Sequence, residues 1–500
     1  MSGLPPPPGD DPIAIRQLRQ AMEAAGFDAA HVSDALMAEG PNLTPSPSHV
    51  PVLLRSLKGD DALTTLIRLF VAAVPVRVDE TSSALGPLPL DKAVEMNLVA
   101  FAGDGDFVRP VIRLVPAGPM LVACDLSPDL LRPPGDVVIG VSSTSWTLAH
   151  LTFRRPVETA LDVGTGCGIQ AMLAAGHAAR VTATDTNVRA LAFARFSAAL
   201  NRLDNIEFLE GDLFEPVAGR RFDLILANPP FVISPDDDYQ YRDGGHVGDE
   251  LSRLVLEGAG ALVSPGGFAH TLVSWVHQPD GDWSERLREW TDGLGCDAWL
   301  LRFDSQDPED YALAWNQPLE ADGDLHAAAI GRWLDYYAEH GIEAIGYGAV
   351  LLRRRPAGSG RPWTRAQSLE TLPIAPAGEQ VRDMFAAASL LDRVGGAEGL
   401  IGERFLVDEG IRMEQVLRLS NGAFEVVEAL LHLDQALPMV AEVDDFTAQL
   451  LAGLQRGLTL GEAFEEAAAT LPDDVEDEDL RLATVEFVEG ALERGFLHPA

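Results

Sequence analysis

Short apolar runs alternate with amphipathic stretches of helical period between Val137 and Arg355. This alternation is typical of a doubly wound parallel sheet with helices on both faces, so we predict an α/β domain here. Seven of the runs are predicted as its strands: Thr159–Val163, Arg180–Asp185, Ile206–Glu210, Phe222–Ala227, Gly267–Val273, Ala298–Phe303 and Ala344–Leu352. The stretch Leu325–His340, between the last two strands, is predicted as a helical insertion.

The regions on either side show helical periodicity with few strands. The N-terminal region predicts helices at Ile13–Ala25, Ala62–Val74, Val78–Leu85 and Leu90–Leu98, then strands at Phe107–Leu114 and Met120–Asp125. The C-terminal region predicts helices at Asp444–Leu454, Leu460–Ala469 and Leu480–Arg494. Both orders resemble winged-helix modules. We therefore predict a winged-helix-like domain at 1–136, the α/β domain at 137–356, a linker at 357–380 and a second, acidic winged-helix-like domain at 381–500.

Charge narrows the choice of partners. The chain has 500 residues and a formal net charge of −39, with lysine only at Lys58 and Lys92. From residue 366 to the end there are 27 acidic residues and 8 arginines, so the negative charge is densest at the C-terminus. A broad nucleic-acid surface is disfavoured, because neutralisation of phosphates supplies most non-specific affinity. The pattern favours a basic protein partner.

Cysteine usage and hydropathy exclude several other classes. The three cysteines, Cys124, Cys167 and Cys296, are odd in number and lack C-x-x-C pairing, so neither a disulfide framework nor a zinc site is predicted. Residues 1–11 lack the basic and apolar parts of a signal peptide. The apolar stretch Leu66–Val76 is shorter than the roughly 18 residues that a membrane span needs. We expect a cytoplasmic protein with no membrane contact and no metal.

The first predicted strand ends in a glycine-rich turn, Asp162-Val163-Gly164-Thr165-Gly166-Cys167-Gly168, which leads into a helix. Glycines at alternate positions let the backbone pass close to a ligand at the helix N-terminus. The dinucleotide motif G-x-G-x-x-G is not matched, because Ile169 stands where its third glycine is required. Asp162 suits a ligand with an ammonium or sulfonium charge.

Acidic residues end the next two predicted strands. Asp185 lies 21 residues after Gly164, at the position where a carboxylate accepts hydrogen bonds from ribose hydroxyls. After the third strand, Asp212 and Leu213 follow Gly211, and Asp212 can accept a hydrogen bond from an adenine amino group. A nucleoside with a positively charged tail fits this arrangement.

The fourth predicted strand ends in Asn228-Pro229-Pro230-Phe231. The Asn228 amide oxygen and the Pro229 carbonyl are two acceptors on a backbone that the prolines restrict, and Phe231 offers a flat surface beside them. This combination suits a planar NH2 group.

The ordered set of glycines, Asp185, Asp212 and Asn228 closely resembles the class I S-adenosylmethionine-dependent methyltransferases. Its Asn-Pro-Pro-Phe motif is similar to that of the HemK-like release-factor glutamine methyltransferases and of adenine and guanine amino-methyltransferases. The resemblance covers Val137–Arg355 and implies a Rossmann-like seven-stranded sheet with S-adenosyl-L-methionine as cofactor. It implies cofactor contacts from Asp162, Gly164, Thr165, Gly166, Gly168, Asp185, Asp212, Leu213, Asn228 and Thr144. Trp146, in the same segment as Thr144, is a further candidate.

The chemistry that fits this motif is methylation of a planar amino nitrogen. Such a nitrogen is a poor nucleophile, and acceptance of its two N–H protons concentrates electron density on it. Asn228, Pro229 and Phe231 are therefore predicted as catalytic, and Pro230 and Phe231 as substrate-binding. Tyr241 and Arg242 of the loop 232–250 are predicted to bind substrate as well, while His246, Trp275 and His277 are weaker candidates.

Several functions fit these residues. A protein glutamine amide, such as one in a translation component, is favoured by the acidity of the chain. An adenine N6 or guanine N2 of ribosomal or transfer RNA is the next alternative, because the same four residues serve either base and Arg353–Arg355 is basic. A small-molecule amine comes third. A scaffold that keeps a degenerate methyltransferase fold is the non-enzymatic alternative, and the intact motifs argue against it.

Overall fold

The structure is a computed structural model that describes residues 4–37, 43–45, 48–126, 135–236, 242, 246–356, 358, 360–369, 372–373, 375–394, 397–420, 422–433, 437, 439–471 and 477–500. The chain divides into two compact units. The first contains residues 1–149 and 155–367, and the second contains residues 150–154 and 368–500.

The N-terminal part of the first unit is built from short helices and small antiparallel sheets. The helices are α1 (Pro12–Ala25), α2 (Ala29–Leu36), α3 (Val50–Ser56), α4 (Ala62–Leu66), α5 (Val78–Leu85) and α6 (Leu90–Glu95), with a π-helical turn at Ile67–Val71. The strands are β1 (Val76–Arg77), β2 (Val99–Ala102), β3 (Phe107–Pro110), β4 (Ile112–Ala117) and β5 (Met120–Asp125). Helix α1 begins where the Asp11 carboxylate accepts the N–H groups of Ile13 and Ala14, and it ends at Gly26 with φ 68°.

Two predictions for this region need correction. The predicted strand Phe107–Leu114 is two strands, because β3 pairs with β2 and β4 pairs with β5. The predicted boundary at residue 136 does not separate two cores, since buried side chains of α1 and β4 belong to the same hydrophobic cluster as Ile169 and Phe193 further along the chain. The N-terminal helices and the α/β domain therefore pack as one body.

The remainder of the first unit is an α/β domain around an eight-stranded sheet. Its helices are α7 (Ser143–Leu151), α8 (Ile169–Ala175), α9 (Val188–Leu200), α10 (Glu250–Leu262), α11 (Glu285–Thr291), α12 (Pro308–Asn316) and α13 (Gly323–His340), with 3-10 turns at Glu215–Val217 and Gln317–Ala321. Its strands are β6 (Val157–Val163), β7 (Ala178–Asp185), β8 (Ile206–Glu210), β9 (Phe222–Ala227), β10 (Val263–His277), β11 (Cys296–Gln306), β12 (Ala344–Arg354) and β13 (Thr364–Ser368).

The sheet has the strand order β13-β11-β12-β10-β9-β6-β7-β8. Strands β6 to β10 are parallel, and β12 runs antiparallel to both β10 and β11. The chain order reverses between the neighbouring strands β6 and β9, and ligands bind at such a reversal in open α/β sheets. All seven predicted strands are present, and the predicted α/β fold is confirmed. The eighth strand, β13, lies inside the segment that we predicted to be a linker.

The second unit combines helices with two small sheets. Its helices are α14 (Gly378–Val394), α15 (Ala397–Leu400), α16 (Asp445–Gln455), α17 (Leu460–Ala468) and α18 (Asp477–Glu493). Its strands are β14 (Phe405–Val407), β15 (Ile411–Ser420), β16 (Ala423–Leu433), β17 (Met439–Glu442) and β18 (Leu497–Pro499). The three helices predicted here match α16, α17 and α18, whereas α14 and the sheet β15-β16-β17 were missed.

The hairpin of β15 and β16 is amphipathic along its length. One face carries pairs such as Met413 with Leu431 and Leu419 with Phe424, while Arg418 pairs with Glu425 on the other face. Near the base Leu431 is buried, whereas Leu419 and Phe424 at the far end are 64% and 70% exposed. Among the described residues, no helix is both long and apolar enough to span a bilayer.

Candidate active site

The three glycines after β6 have left-handed backbone conformations but differ in their surroundings. Their φ angles are 68° at Gly164, 55° at Gly166 and 86° at Gly168. A Cβ at either of the first two positions would have no heavy atom of a described residue within 4 Å, so the backbone there borders open space in the described part of the chain. A Cβ at Gly168 would lie 2.9 Å from the Ala194 Cβ of α9. Two glycines thus leave room for a ligand, and the third allows α8 to pack on α9.

Asp162 lies beneath this turn. Its side chain is buried, and its Oδ2 accepts a hydrogen bond from the Thr165 hydroxyl at 2.6 Å and one from the Ala171 N–H at 2.9 Å. Burial raises the pKa of Asp162 to about 6. Asp162 and Thr165, which we predicted as cofactor contacts, bond to each other and hold the turn in shape.

The carboxylate of Asp185 joins the end of β7 to the same turn. Its Oδ2 accepts the Gly166 N–H and its Oδ1 accepts the Asn187 N–H, both at 2.8 Å. Burial raises the pKa of Asp185. Each carboxylate oxygen can accept a second bond, so both remain able to receive a hydroxyl. On the next strand Asp212 is exposed, and Leu213 has a left-handed φ of 43°.

The motif Asn228-Pro229-Pro230-Phe231 follows β9 directly, next to β6 and its glycine turn. Asn228 is half-buried, and its Nδ2–H donates to the Thr144 hydroxyl on α7 at 3.3 Å. This bond occupies the donor side of the amide, whereas Oδ1 is an acceptor. Thr144, which we predicted to contact the cofactor, is therefore a direct neighbour of Asn228.

An aromatic row lies beside the motif. The Phe231 ring is 5.3 Å from the ring of Tyr347 on β12, and Tyr347 is 5.5 Å from Phe303 on β11. Tyr347 stands between Gly346 and Gly348, where side chains would collide with Trp275 or with the Leu301 backbone. The paired glycines around one tyrosine were a signal in the sequence that our prediction did not use.

The loop after the motif is anchored to α12 and α13, the helical insertion. The Tyr337 hydroxyl donates to the Ile233 carbonyl at 2.8 Å, and the Ile233 N–H donates to the Tyr311 hydroxyl at 3.3 Å. Asp236 accepts the indole N–H of the buried Trp333 at 2.8 Å. The insertion therefore determines the path of the chain that leaves the motif.

The loop contains three further candidates from the sequence: Tyr241, Arg242 and His246. Arg242 bonds to Asp236 at 3.4 Å and stacks on Trp333 at 5.4 Å, which makes it part of the anchor. His246 is exposed. Tyr241 lies outside the described residues.

Two further candidates lie on β10. Trp275 is fully buried and its indole N–H donates to the Trp283 carbonyl at 2.8 Å, as a packing residue would. His277 bonds through Nε2 to the Ser305 hydroxyl at 2.7 Å. Trp146, the candidate on α7, is only partly buried and packs against the N-terminal core.

The basic run Arg353–Arg355 is directed into the protein. Arg353 and Arg355 both pair with the buried Asp297 at 2.6 Å, and Arg354 donates to the carbonyls of Gly260 and Leu294. These guanidinium groups are engaged in holding β12 to its neighbours, and they do not form a basic surface. Within the described part of the chain, no group of three or more His, Cys, Asp or Glu side chains is arranged to hold a metal ion.

Comparison with known proteins agrees with this geometry. Residues 142–246 match the family described as methyltransferase small domain. Residues 24–110 and 382–499 match two families described as domains of unknown function, DUF7059 and DUF7782. The match confirms the predicted class of domain, a class I methyltransferase domain that uses S-adenosylmethionine.

Two curated relatives within that class are named release factor glutamine methyltransferases. That of Xylella fastidiosa is 34% identical over 140 residues, which are 26% of this chain and 50% of the relative. That of Deinococcus radiodurans is 43% identical over 141 residues, which are 25% of this chain and 49% of the relative. The chain thus spans about half the length of the curated relatives it matches. A solved methyltransferase from Pyrococcus furiosus is 19% identical and has a TM-score of 0.27, with 43% of this chain and 84% of that chain covered.

Proposed function

We propose that the protein methylates the side-chain amide nitrogen of a glutamine in a partner protein, with S-adenosyl-L-methionine as methyl donor. One observation carries the proposal. At the end of β9, Thr144 takes the N–H of the Asn228 amide, so the amide oxygen can accept a proton of a substrate NH2 beside the Pro229 carbonyl. The names of the matched relatives agree with glutamine as the substrate.

The glycine turn and its neighbours fit the cofactor. Open space next to Gly164 and Gly166 accommodates the amino-acid portion, Asp185 can accept the ribose hydroxyls, and Asp212 and Leu213 lie at the next strand end for the adenine. When bound, S-adenosylmethionine supplies a methyl group activated by a sulfonium. The carboxylate of Asp162, beneath the turn, favours the positive charges of this ligand.

The chain's own residues act on the amide. The lone pair of an amide nitrogen is delocalised, which makes the nitrogen a poor nucleophile. Acceptance of its two N–H protons by Asn228 Oδ1 and the Pro229 carbonyl concentrates electron density on the nitrogen and orients it. Phe231, packed on Tyr347, gives the planar group a rigid surface. The proton that the nitrogen loses passes to one of these acceptors or to water.

The charge of the chain favours a protein substrate over an RNA substrate. The net charge of −39 opposes the approach of a phosphate backbone. The basic run that favoured RNA is engaged with Asp297 and backbone carbonyls. We infer that the substrate is a protein of the translation apparatus that works in the cytoplasm.

The proposal is tested by finding the methyl group. Protein and RNA from cells that lack the gene are incubated with the purified protein and methyl-labelled S-adenosylmethionine, and the product is mapped by mass spectrometry. We expect one labelled glutamine, and a rate of labelling about 100-fold lower with the Asn228→Ala protein. Label in the RNA fraction alone would replace the proposal by the nucleobase alternative, and label in neither fraction would reject both.

The raised pKa of Asp162 predicts a pH dependence of cofactor binding. The cationic ligand favours the carboxylate, so binding must release the proton that Asp162 holds below pH 6. We expect the affinity for S-adenosylmethionine, measured by calorimetry, to rise about tenfold from pH 5 to pH 7 and then to level off.

Protein stability should change in the opposite direction. Because the folded state raises the pKa of Asp162 from 3.8 to about 6, the folded protein binds more protons between these values. The contribution of Asp162 to the free energy of unfolding therefore falls as the pH rises from about 4 to about 6. Stronger binding at pH 7 is thus not a consequence of better folding. The Asp162→Asn protein should lose the tenfold rise in affinity for S-adenosylmethionine between pH 5 and pH 7. An unchanged rise in that variant would show that Asp162 is not its cause.

A further inference from the structure

The amide of Asn228 has two chemically different sides, and only one of them suits a substrate NH2. A rotation of 180° about the terminal bond of the side chain exchanges Oδ1, an acceptor, with Nδ2, a donor. With Nδ2 toward the substrate, two donors would meet and the substrate proton would lose its acceptor. The proposed chemistry therefore needs a group that fixes the orientation of this amide.

Thr144 lies at the donor side of the amide. Its Oγ1 is 3.3 Å from Asn228 Nδ2, although the two residues are 84 positions apart in the chain. A threonine hydroxyl can donate as well as accept, so by itself it would tolerate either orientation of the amide. Its direction has to be set by its other partners.

Two serine hydroxyls give Thr144 a partner to which it can donate. Thr144 Oγ1 is 2.8 Å from Ser142 Oγ, which is 3.0 Å from Ser145 Oγ. The Ser145 N–H also donates to Ser142 Oγ at 3.2 Å, and the Ser142 N–H donates to Ser145 Oγ at 3.3 Å. When Thr144 donates its proton to Ser142, its remaining lone pairs can only accept, and the acceptor that they offer matches Asn228 Nδ2.

The same segment is tied to the glycine turn. The side chain of Gln170, the second residue of α8, donates from Nε2 to the Ser145 carbonyl at 2.6 Å. Gln170 is 4% exposed, so this bond is protected from water. The start of α7 is thereby held between the helix that follows the cofactor turn and the motif that follows β9.

We propose that Thr144 is a positioning residue that holds the Asn228 amide with Oδ1 toward the substrate nitrogen, with its own hydroxyl oriented by Ser142. The inference rests on the proposed function, because it concerns the acceptor which that function requires. It assigns Thr144 to Asn228 and not to the cofactor, contrary to our sequence prediction. Ser142 and Ser145 act one step further away.

Kinetics of two matched variants test this role. Thr144→Val keeps the shape of the side chain and removes the hydroxyl, whereas Thr144→Ser keeps the hydroxyl. We expect kcat for methylation of the protein fraction from cells that lack the gene to fall about tenfold in Thr144→Val and to be retained in Thr144→Ser. The Kd for S-adenosylmethionine, measured by calorimetry, should be unchanged in both. A weaker Kd with kcat unchanged would instead make Thr144 a cofactor contact and overturn the inference.

A double-mutant cycle separates positioning from a general structural effect. In the Asn228→Ala background there is no amide to orient, so Thr144→Val should cause no further loss of kcat. An equal further loss would show that Thr144 acts independently of Asn228, which would refute the inference.

An NMR measurement that needs no enzymatic turnover tests the role of Thr144 independently of the proposed function. In protein labelled with 15N-asparagine, the side-chain NH2 signals of Asn228 are assigned by their absence in Asn228→Ala. We expect them to shift in Thr144→Val and to keep their wild-type positions in Thr144→Ser. Unshifted signals in Thr144→Val would refute the role of Thr144. If the wild-type protein methylates no protein, the proposed function fails, and these spectra still decide whether Thr144 holds Asn228.

Discussion

Asn228→Ala should lower kcat about 100-fold, as loss of a single preorganised hydrogen-bonding group at a reacting atom does in other enzymes. The substitution removes one of the two acceptors for the substrate NH2, and the Pro229 carbonyl remains. Affinity for S-adenosylmethionine should change little, because the turn that we assign to the cofactor follows β6, whereas Asn228 follows β9. Steady-state kinetics with the labelled protein substrate and calorimetry with the cofactor measure the two effects separately.

Asn205→Ala is the matched control for this variant. Asn205 is also half-buried, but it lies just before β8 and donates to the carbonyls of Ala175 and Ala178, at the sheet edge opposite to the motif. Its loss should lower the melting temperature and leave kcat unchanged. An Asn228→Ala protein with the wild-type kcat would remove Asn228 from the proposed mechanism.

Gly164→Ala should weaken S-adenosylmethionine binding at least tenfold without unfolding the protein. Its φ of 68° costs an alanine about 1–2 kcal/mol, and the alanine Cβ would meet no atom of the described residues within 4 Å. The space that the methyl group enters is the space that we assign to the cofactor. Calorimetry gives the affinity, and thermal unfolding without ligand gives the stability.

Substitutions at two other glycines distinguish the effect of backbone strain from the effect of a methyl group in the cofactor space. Gly266, in β10, has a similar φ of 83° and equally open surroundings, so Gly266→Ala should cost similar stability and leave binding intact. Gly168→Ala should be the least stable, because its Cβ would also collide with Ala194. If Gly164→Ala and Gly266→Ala affected cofactor affinity equally, the turn would not be the cofactor site.

The elements that the sequence predicted well are those with a strong local signal. The glycine turn and the ends of the strands before Asp185, Asp212 and Asn228 were predicted within a few residues. Apolar runs followed by glycine, proline or acidic residues define such strand ends without reference to distant parts of the chain. The predicted α/β fold depended on the same local pattern.

The elements that were missed have weak local signals. Strand β13 has only intermediate burial and lies in a segment rich in Arg, Gly and Pro, and it is a strand because it adds to the edge of the sheet next to β11. The hairpin of β15 and β16 has apolar residues on one face and charged residues on the other. A bulge shifts the pairing register between Val416 and Leu417, and this interrupts the alternation of apolar and polar residues. Neither pattern identifies a strand until its partner is known.

The sequence by itself determined which residues we propose to carry the chemistry: the glycine turn, the acids at the next strand ends and the motif Asn228–Phe231. These follow from residue type and short spacing, which fix backbone conformation locally. Only the tertiary structure decided what those residues touch. Thr144 meets Asn228 across 84 positions and Trp333 meets Asp236 across 97, because the sheet and the helical insertion bring distant segments together. Hydrogen bonds depend on distance in space, and separation along the chain does not reveal it.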